Sequence, residues 1–250
     1  MVHPFANNDL KPVILGAHYC DIYFRDTNTD FLRSSSCKSM DAVVQLVLYQ
    51  HIARFRSKFK PDWRIHGVIR TVKDEPVPNY HNFISTPKSM HSGYMVRAVN
   101  QEDLFFLQKT LENLAEVAAK STGCRLELRW EGDVVPCAGM IHNSVMAEVY
   151  REYSEEEGVV YPANVKPFYG STDMENVSLV VPSIHPGFSL GKNVMIHTRE
   201  FEELAGSLSE EAQKWTLVAA KAMALTCVRL FADGELREHV EKECLNWLKT

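Results

Sequence analysis

The chain has 250 residues, of which 45% are hydrophobic and 24% are charged, close to the averages of folded soluble proteins. This composition excludes an intrinsically disordered chain, and the length suits one large domain or two small ones. Lysine and arginine number 27 against 32 aspartates and glutamates, a net charge of −5 without a long basic run. This balance argues against nucleic acid as a partner.

Six scattered cysteines form neither a CxxC pair nor a disulfide framework, so we expect reduced thiols. The first residues, MVHPFANNDLKP, lack the basic start and apolar stretch of a signal peptide. The sequence also contains no uncharged apolar run long enough to cross a bilayer. These features predict a cytoplasmic protein that has no membrane partner.

The first half of the sequence alternates predicted strands and helices. Residues 13–24 are rich in β-branched and aromatic side chains and predict a strand, which a helix from Asp41 to Phe59 follows. The apolar residues of this helix recur at helical spacing: Val44, Val47, Leu48, Ile52 and Phe55. Residues 64–72 alternate as another strand, and a proline-punctuated loop runs from Lys73 to Ser92.

A further strand, a helix and a last strand complete this half. Residues 93–99 predict the strand, and Asn100 with Asp103 three residues later predicts a capped helix start. Regularly spaced leucines predict that one stripe of the helix faces a sheet, Gly123 ends it, and residues 125–130 alternate as a strand. This order predicts a ferredoxin-like α+β domain with two helices on one face of an antiparallel sheet.

The second half of the sequence predicts an α/β layer. A helix is expected from Ser144 to Glu157, followed by a short strand at 159–165. The nearly continuous apolar run NVSLVVPSI at 176–184 predicts a strand that is buried on both faces, and the segment from Ile184 to His197 predicts a loop. Two further helices are expected to close the chain, at about Ser209–Phe231 and Gly234–Leu248.

Several acidic residues and histidines lie in the predicted loops of this half, where open α/β sheets build their sites. They are Asp173, His185, His197 and Glu200. No HxxxH or HExxH spacing arranges two imidazoles, so any one of them is more often a solvated or capping residue than a metal ligand. The small-residue turn from Gly170 through Ser171 to Asp173 can hold an anion on its backbone N–H groups, or can simply join two strands.

Four stretches of the sequence carry a resemblance to a known family. They are MVHP at 1–4, KPDWRIHGVI at 60–69, YMVRA at 94–98, and the block from GSTDMENVSLVVPSIHPGFSLG through IHTREFEELAGSLSEEAQ at 170–213. Together they resemble the M20 family of metallopeptidases, in particular its dipeptidases that act on β-alanyl-lysine and Xaa-Arg dipeptides.

The resemblance implies an α/β metallopeptidase domain into which a ferredoxin-like dimerisation or lid domain is inserted. In these terms residues 1–13 are a remnant of the catalytic domain, residues 14–130 form the inserted domain, and residues 131–250 form the C-terminal part of the catalytic domain. The first half of that catalytic domain would precede residue 1, so we expect an N-terminally truncated member.

The resemblance also implies roles for single residues. His3 and His197 match metal ligands of the family, with zinc or manganese as the implied cofactor. The substrate-binding residues that it implies are Arg97, Asn82, Gly170 and Ser171. Arg97 would pair with a substrate carboxylate, a task that suits the planar donor fork of a guanidinium.

The implied catalytic machinery is incomplete in this sequence. Two histidines fall short of the three protein ligands of a catalytic zinc, and neither a general-base glutamate motif nor a lid histidine has a match. We therefore expect a homodimeric homologue of M20 dipeptidases or amidohydrolases for small dipeptide-like substrates, inactive or impaired as this chain. The alternative is a non-catalytic dimerisation or small-molecule binding module derived from the lid domain.

Overall fold

The computed structural model describes residues 1–27, 38–56, 59–71, 88–131, 139–165, 167, 169–206 and 209–247. The chain divides into two compact units: Met1–Ile14 together with Met140–Thr250 is the first unit, and Leu15–Gly139 is the second. The inserted domain expected at residues 14–130 covers most of the second unit.

Six strands and seven helices occur in the described residues. In chain order they are β1 (His3–Phe5), β2 (Gly16–Arg25), α1 (Lys38–Arg56), β3 (Arg64–Thr71), β4 (Ser89–Ala98), α2 (Gln101–Thr122), β5 (Arg125–Trp130), α3 (Ser144–Glu156), α4 (Met174–Ser178), β6 (Gly187–Ser189), α5 (Arg199–Ala205), α6 (Glu210–Ala232) and α7 (Gly234–Trp247).

The second unit has the ferredoxin-like topology that its sequence predicts. Its sheet has the strand order β3-β4-β2-β5, and every neighbouring pair is antiparallel. Alternate residues of β2, namely Cys20, Ile22 and Phe24, join α1 and α2 in one hydrophobic core. The other face of the sheet therefore carries the polar residues that alternate with them.

α2 starts and ends at the residues that the sequence indicates. The Asn100 side chain accepts a hydrogen bond from the Asp103 backbone N–H at 2.8 Å, which satisfies a donor that the helix cannot satisfy itself. Gly123 ends the helix in the left-handed conformation with a φ of 73°. Leu104, Leu107 and Leu111 form the buried stripe.

α1 buries a different face from the one that its sequence pattern indicates. Ala42 and Leu46 are fully buried, whereas Val44, Leu48 and Ile52 are 57%, 54% and 44% exposed. The helix has apolar residues on more than one face, so their periodicity alone does not choose the buried one. Val44, Leu48 and Ile52 thus form an apolar stripe on the outside of α1, called the α1 stripe below.

The first unit is built around a parallel pair of very short strands. β1 and β6 pair with His3 opposite Gly187 and Phe5 opposite Ser189. α3, α6 and α7 pack against one another. Their small core contains Ala147, Tyr150, Ile184 and Ala222.

The prediction of a strand at 176–184 is wrong. Met174–Ser178 forms α4 instead, and the N–H groups of Val180 and Val181 turn back to the Val177 carbonyl at 3.0 Å. Val177 is 42%, Val180 74% and Val181 46% exposed, so this apolar run is not buried on both faces.

Two other expectations for this half of the chain also fail. The described residues of 159–165 contain no strand. β6 lies inside the predicted loop from Ile184 to His197, because a strand of three residues is too short to show a period.

α6 is the one helix of the described residues whose length and composition would allow it to cross a membrane. A single helix of this kind indicates little, because core helices of soluble proteins pass the same test. Ala219 and Ala222 are buried and α6 contacts α3. Leu217, Val228 and Phe231 on the same helix are 69%, 62% and 85% exposed.

Candidate metal and substrate site

His3 is positioned by the pairing of β1 with β6. Its backbone N–H donates to the Pro186 carbonyl at 3.1 Å, and the parallel register brings its ring to 6.2 Å from the ring of His185, measured between centroids. The exposed imidazole of His3 has Nδ1 at 2.9 Å from the Pro4 carbonyl oxygen. When Nδ1 donates to a carbonyl, Nε2 keeps its lone pair, which is the usual arrangement of a metal-binding histidine.

His185 is a buried imidazole beside His3. It is 3% exposed, and among the described residues neither of its ring nitrogens has a hydrogen-bond partner. Burial, followed by the charges of the amino terminus and of His3, lowers the pKa of His185 to about 4. The ring is therefore neutral at pH 7 and presents one donor and one acceptor nitrogen.

His142 supports the backbone of His185. Its Nε2 lies 3.0 Å from the Pro12 carbonyl oxygen, and its Nδ1 accepts from the His185 backbone N–H at 3.4 Å. Burial lowers the pKa of His142 to about 4, which keeps it in the neutral form that this pair of bonds requires. Both of its nitrogens are used, so His142 is a positioning residue and not a candidate ligand.

His197 lies on the segment between β6 and α5. It is exposed and has a φ of 61°, a left-handed conformation that few residues other than glycine adopt. Thr198 follows it as the cap of α5, with its hydroxyl accepting from the Phe201 N–H at 3.2 Å. Glu200, a candidate site residue of the sequence, lies in the first turn of α5, where a carboxylate stabilises the helix.

The turn at Gly170 and Ser171 already contains a carboxylate of the protein. Glu175 is fully buried, and its Oε1 accepts from the Thr172 backbone N–H at 2.9 Å. Gly170 forms an isolated parallel bridge with Ile14, and Ser171 is exposed. The backbone N–H of Thr172, in the turn predicted to hold an anion, therefore already donates to a carboxylate of the protein.

Sequence analysis did not single out Glu175, although its signal is present. Thr172 and Glu175 have the T-x-x-E spacing of a capping box, in which the carboxylate reaches back to the first N–H. For His185 the sequence offers no comparable signal, because its burial depends on β1, which is 182 residues away from it in the chain (185 − 3 = 182).

Arg97 lies in the second unit, on the face of the sheet opposite the helices. It alternates on β4 with the buried residues Val96 and Ala98, and its Nε donates to the Met95 sulfur at 3.3 Å. Burial, then the charge of Arg97 and other arginines, lowers the pKa of His66 on the neighbouring strand. The positive charge of these arginines suits the binding of a carboxylate. Asn82 lies outside the described residues.

The described residues contain no group of three histidine, cysteine, aspartate or glutamate side chains that could hold a metal ion. The structure therefore brings His3 next to His185 but does not assemble a complete site with His197. The donor groups beside His3 are the two ring nitrogens of His185, which are buried and have no hydrogen-bond partner among the described residues. Imidazole nitrogens of this kind fit a transition metal. Imidazole suits zinc better than manganese, which prefers oxygen ligands.

Comparison with known proteins relates the chain to one group of enzymes, although no protein-family model matches it. The chain is 33% identical over 250 residues to the Xaa-Arg dipeptidase of Homo sapiens, covering 97% of this chain and 54% of that protein. The Xaa-Arg dipeptidase of Mus musculus is also 33% identical, over 257 residues, with the same coverage.

Solved structures share the fold. A Bacillus subtilis protein described as a dinuclear metal binding peptidase from the M20 family matches with a TM-score of 0.57 and 12% identity, over 91% of this chain and 54% of that one. The chain shares its fold with this M20 peptidase. An aminobenzoyl-glutamate utilization protein from Klebsiella pneumoniae has a TM-score of 0.60 and 15% identity, over 89% of this chain and 52% of that one.

These comparisons confirm the resemblance that the four sequence stretches indicated. They also show that this chain spans about half the length of the curated relatives it matches.

Proposed function

We propose that this chain is a member of the M20 metallopeptidases and contributes to a peptidase or amidohydrolase that cleaves the peptide or amide bond of small, dipeptide-like substrates with the help of a metal ion. The observation that carries the proposal is the 33% identity to Xaa-Arg dipeptidases over 97% of the chain. In this proposal residues 14–130 are the inserted dimerisation domain, and residues 1–13 with 131–250 belong to the catalytic domain.

The residues proposed to hold the metal are His3, through Nε2, and His197. A metal ion bound by them would polarise the scissile carbonyl and lower the pKa of a bound water. The Nδ1 contact of His3 with the Pro4 carbonyl supports the role, because such contacts fix the tautomer of ligand histidines. Zinc is the metal that we propose, on the nitrogen donors beside His3.

The substrate side of the proposal rests on Arg97 and on the turn at Gly170 and Ser171. A dipeptide ends in a carboxylate, which a guanidinium binds through two parallel hydrogen bonds. The positively charged neighbourhood of Arg97, whose arginines add to burial in lowering the pKa of His66, favours this anion. The exposed Ser171 is proposed to contact the polar backbone of the substrate.

A homodimer is part of the proposal. The α1 stripe exposes three apolar residues at a spacing of four, and among the described residues β3 is an edge strand that pairs on one side only. A helix and an edge strand that are both available suit an interface between two copies related by a two-fold axis.

We expect the 250-residue chain by itself to show no detectable turnover. The described residues contain no three-ligand group, and no general-base carboxylate has been identified beside His3. Losing a base or an oxyanion donor costs on the order of 10²- to 10⁴-fold in rate, and groups that act as a unit lose nearly all activity together.

The test is to incubate the purified chain with β-alanyl-lysine and with an Xaa-Arg dipeptide, with zinc or manganese added, and to measure both binding and release of amino acids. We expect dipeptide binding that Arg97→Ala weakens, without release. Arg129→Ala is the matched control, because Arg129 is also on this sheet but is paired with Glu127.

Two other outcomes would change the proposal. Metal-dependent release that disappears in His197→Ala would show a working site and would contradict the expected loss of activity. A well-folded dimer that binds neither dipeptide would support the second candidate, a dimerisation or small-molecule binding module. The observation that favours this second candidate is the self-contained core of the second unit.

A further inference from the structure

α6 has apolar residues on two opposite sides, and only one of these sides is packed. Val218, Ala222 and Thr226 are buried on the side that faces the first unit. The helical period places a second apolar row, with spacings of three and four residues, on the opposite side. All of its members are exposed: Leu217, Ala220, Ala224, Val228 and Phe231. This row is called the α6 stripe below.

The α6 stripe is a continuous apolar surface. A surface helix of a soluble protein normally has one apolar and one polar face, whereas a helix that is apolar on both sides is normally buried. Leu217, Val228 and Phe231 are 69%, 62% and 85% exposed. From Leu217 to Phe231 the stripe extends about 21 Å along the helix axis, and an apolar patch of this kind marks a site of interaction.

The hydrophobic core of the first unit is small for the length of the unit. Among the described residues its core cluster has four buried members, whereas the cluster of the second unit has seventeen. The two units are equal in length. A folded unit of this length normally buries a larger share of its apolar side chains, so the first unit has apolar surface left for a further layer.

The relatives of this chain contain additional polypeptide. Nearly all of this chain aligns with the Xaa-Arg dipeptidase of Homo sapiens, but it spans 54% of that protein. The same share of the Bacillus subtilis M20 peptidase is covered. Nearly half of each relative therefore has no counterpart in this sequence, and a polypeptide of that size is large enough to cover the α6 stripe.

We propose that the α6 stripe is the docking surface for a polypeptide that corresponds to the part of the Xaa-Arg dipeptidases outside this alignment. The contact is apolar. Leu217, Val228 and Phe231 supply the large side chains that the partner buries, and Ala220 and Ala224 between them let its backbone approach closely. The inference concerns assembly, so it goes beyond the proposed function and requires neither a metal ion nor a substrate.

A membrane or a second copy fits the α6 stripe less well. A helix that lies on a membrane has a strongly charged face opposite its apolar one. The opposite side of α6 is instead packed into the first unit. The homodimer proposed above uses the α1 stripe and β3, so it does not involve α6.

The test co-expresses the tagged 250-residue chain with the region of the Homo sapiens Xaa-Arg dipeptidase outside the alignment, and measures how much of that region copurifies. The unaltered chain should retain it. Leu217→Glu and Ala224→Glu should each reduce the retained amount at least tenfold, because each places an unpaired charge in an apolar contact. Both residues are exposed in the chain alone, so the variants should keep its circular dichroism spectrum and its urea midpoint.

The matched control is Val117→Glu on α2. Val117 is an apolar residue of the second unit and is 50% exposed, so it is outside the proposed docking surface. This variant should retain the partner as the unaltered chain does. Flotation of the chain with vesicles of phosphatidylcholine and phosphatidylserine, and sedimentation velocity of the chain alone, test the two other occupants.

The outcomes separate this inference from the proposed function. An unaltered chain that retains no partner would overturn the inference, as would equal retention by Leu217→Glu, Ala224→Glu and Val117→Glu. Vesicle binding that Leu217→Glu abolishes would overturn it in favour of a membrane, and self-association that Leu217→Glu abolishes would overturn it in favour of a second copy. Binding or hydrolysis of dipeptides by the copurified pair bears on the proposed function alone.

Discussion

Gly67 lies directly under the ring of Tyr94, its partner across β3 and β4. A Cβ atom at this position would overlap the Tyr94 ring, which is 3% exposed and belongs to the core between the sheet and the helices. The absence of a side chain at residue 67 is therefore what lets the aromatic ring close this end of the core.

Replacing Gly67 by alanine should lower the free energy of unfolding by about 1–3 kcal/mol, because a well-packed core does not accept an extra methyl group without strain. Urea denaturation followed by circular dichroism measures the change. Gly93→Ala is the control on the adjacent strand, since its Cβ would meet only Asp21 Oδ1 at 3.9 Å. Equal effects of the two substitutions would contradict the packing argument.

Asp103 connects the start of α2 to the segment before β3. Its carboxylate accepts from Lys60 Nζ at 2.6 Å, from Trp63 Nε1 at 3.0 Å and from Asn100 Nδ2 at 3.1 Å. Burial acts to raise the pKa of Asp103, but the bonds from Lys60 and Trp63 outweigh it, so the pKa is lowered.

A carboxyl group whose pKa is lower in the folded than in the unfolded state stabilises the fold above its ordinary pKa, and that contribution is lost as the pH falls through the folded value. Acidification below about pH 4 should therefore destabilise the unaltered chain more than Asp103→Asn. Thermal melting between pH 7 and pH 3 measures this difference. Glu102→Gln, an exposed neighbour, should retain the pH dependence of the unaltered chain.

At the scale of elements, α3 depends on a side chain from the far end of the chain. The carboxylate of Glu243 on α7 accepts from the backbone N–H groups of Ser144 and Val145 at 2.9 and 3.1 Å. Asn143 satisfies the next donor, that of Met146, at 2.9 Å. The first turn of α3 is thus capped by one local and one distant residue.

Glu243→Ala should lower the free energy of unfolding by about 1–2 kcal/mol, because two backbone donors lose a charged acceptor at a helix N-terminus. Glu241→Ala, an exposed glutamate on the same helix, should change it little. Chemical denaturation of both variants makes the comparison. A similar loss in both would mean that helix propensity, and not capping, is responsible.

The elements that the sequence predicts well are those whose signals are local. Asn100 and Gly123 set the ends of α2 by contacts within a few residues, and the strand at 125–130 matches β5 fully. The apolar run at 176–184 predicts a buried strand, but its valines are exposed. Exposure depends on packing against the rest of the chain and cannot be read from the composition of the run.

In the candidate site, too, local signals are readable from the sequence and distant contacts are not. The motif around His3 predicts a metal ligand, but the position of His185 beside it follows only from the pairing of β1 with β6. The stripe on α1 is a second example, because the pattern of the helix does not say which of its apolar faces meets the sheet.

For the whole molecule, the α1 stripe leads to a prediction about assembly. Leu48→Glu places a charge in the middle of the stripe and should shift a dimer towards monomer at micromolar concentrations, because a buried charge without a partner opposes association. Sedimentation velocity measures the distribution. Phe105→Glu on α2, also an exposed apolar residue of the second unit, should leave it unchanged. An unaltered chain that is monomeric throughout would contradict the proposed dimer.

The division into two units has a consequence for how the chain folds. The second unit is continuous in sequence, whereas the first joins Met1–Ile14 to residues that begin at Met140. During synthesis the second unit is therefore complete before β6, the partner strand of β1, has been made. Met140 donates to the Ile14 carbonyl at 3.3 Å, so the ends of the intervening segment meet. Folding the middle of the chain first would shorten the loop that the pairing of β1 with β6 has to close, and so reduce its entropic cost.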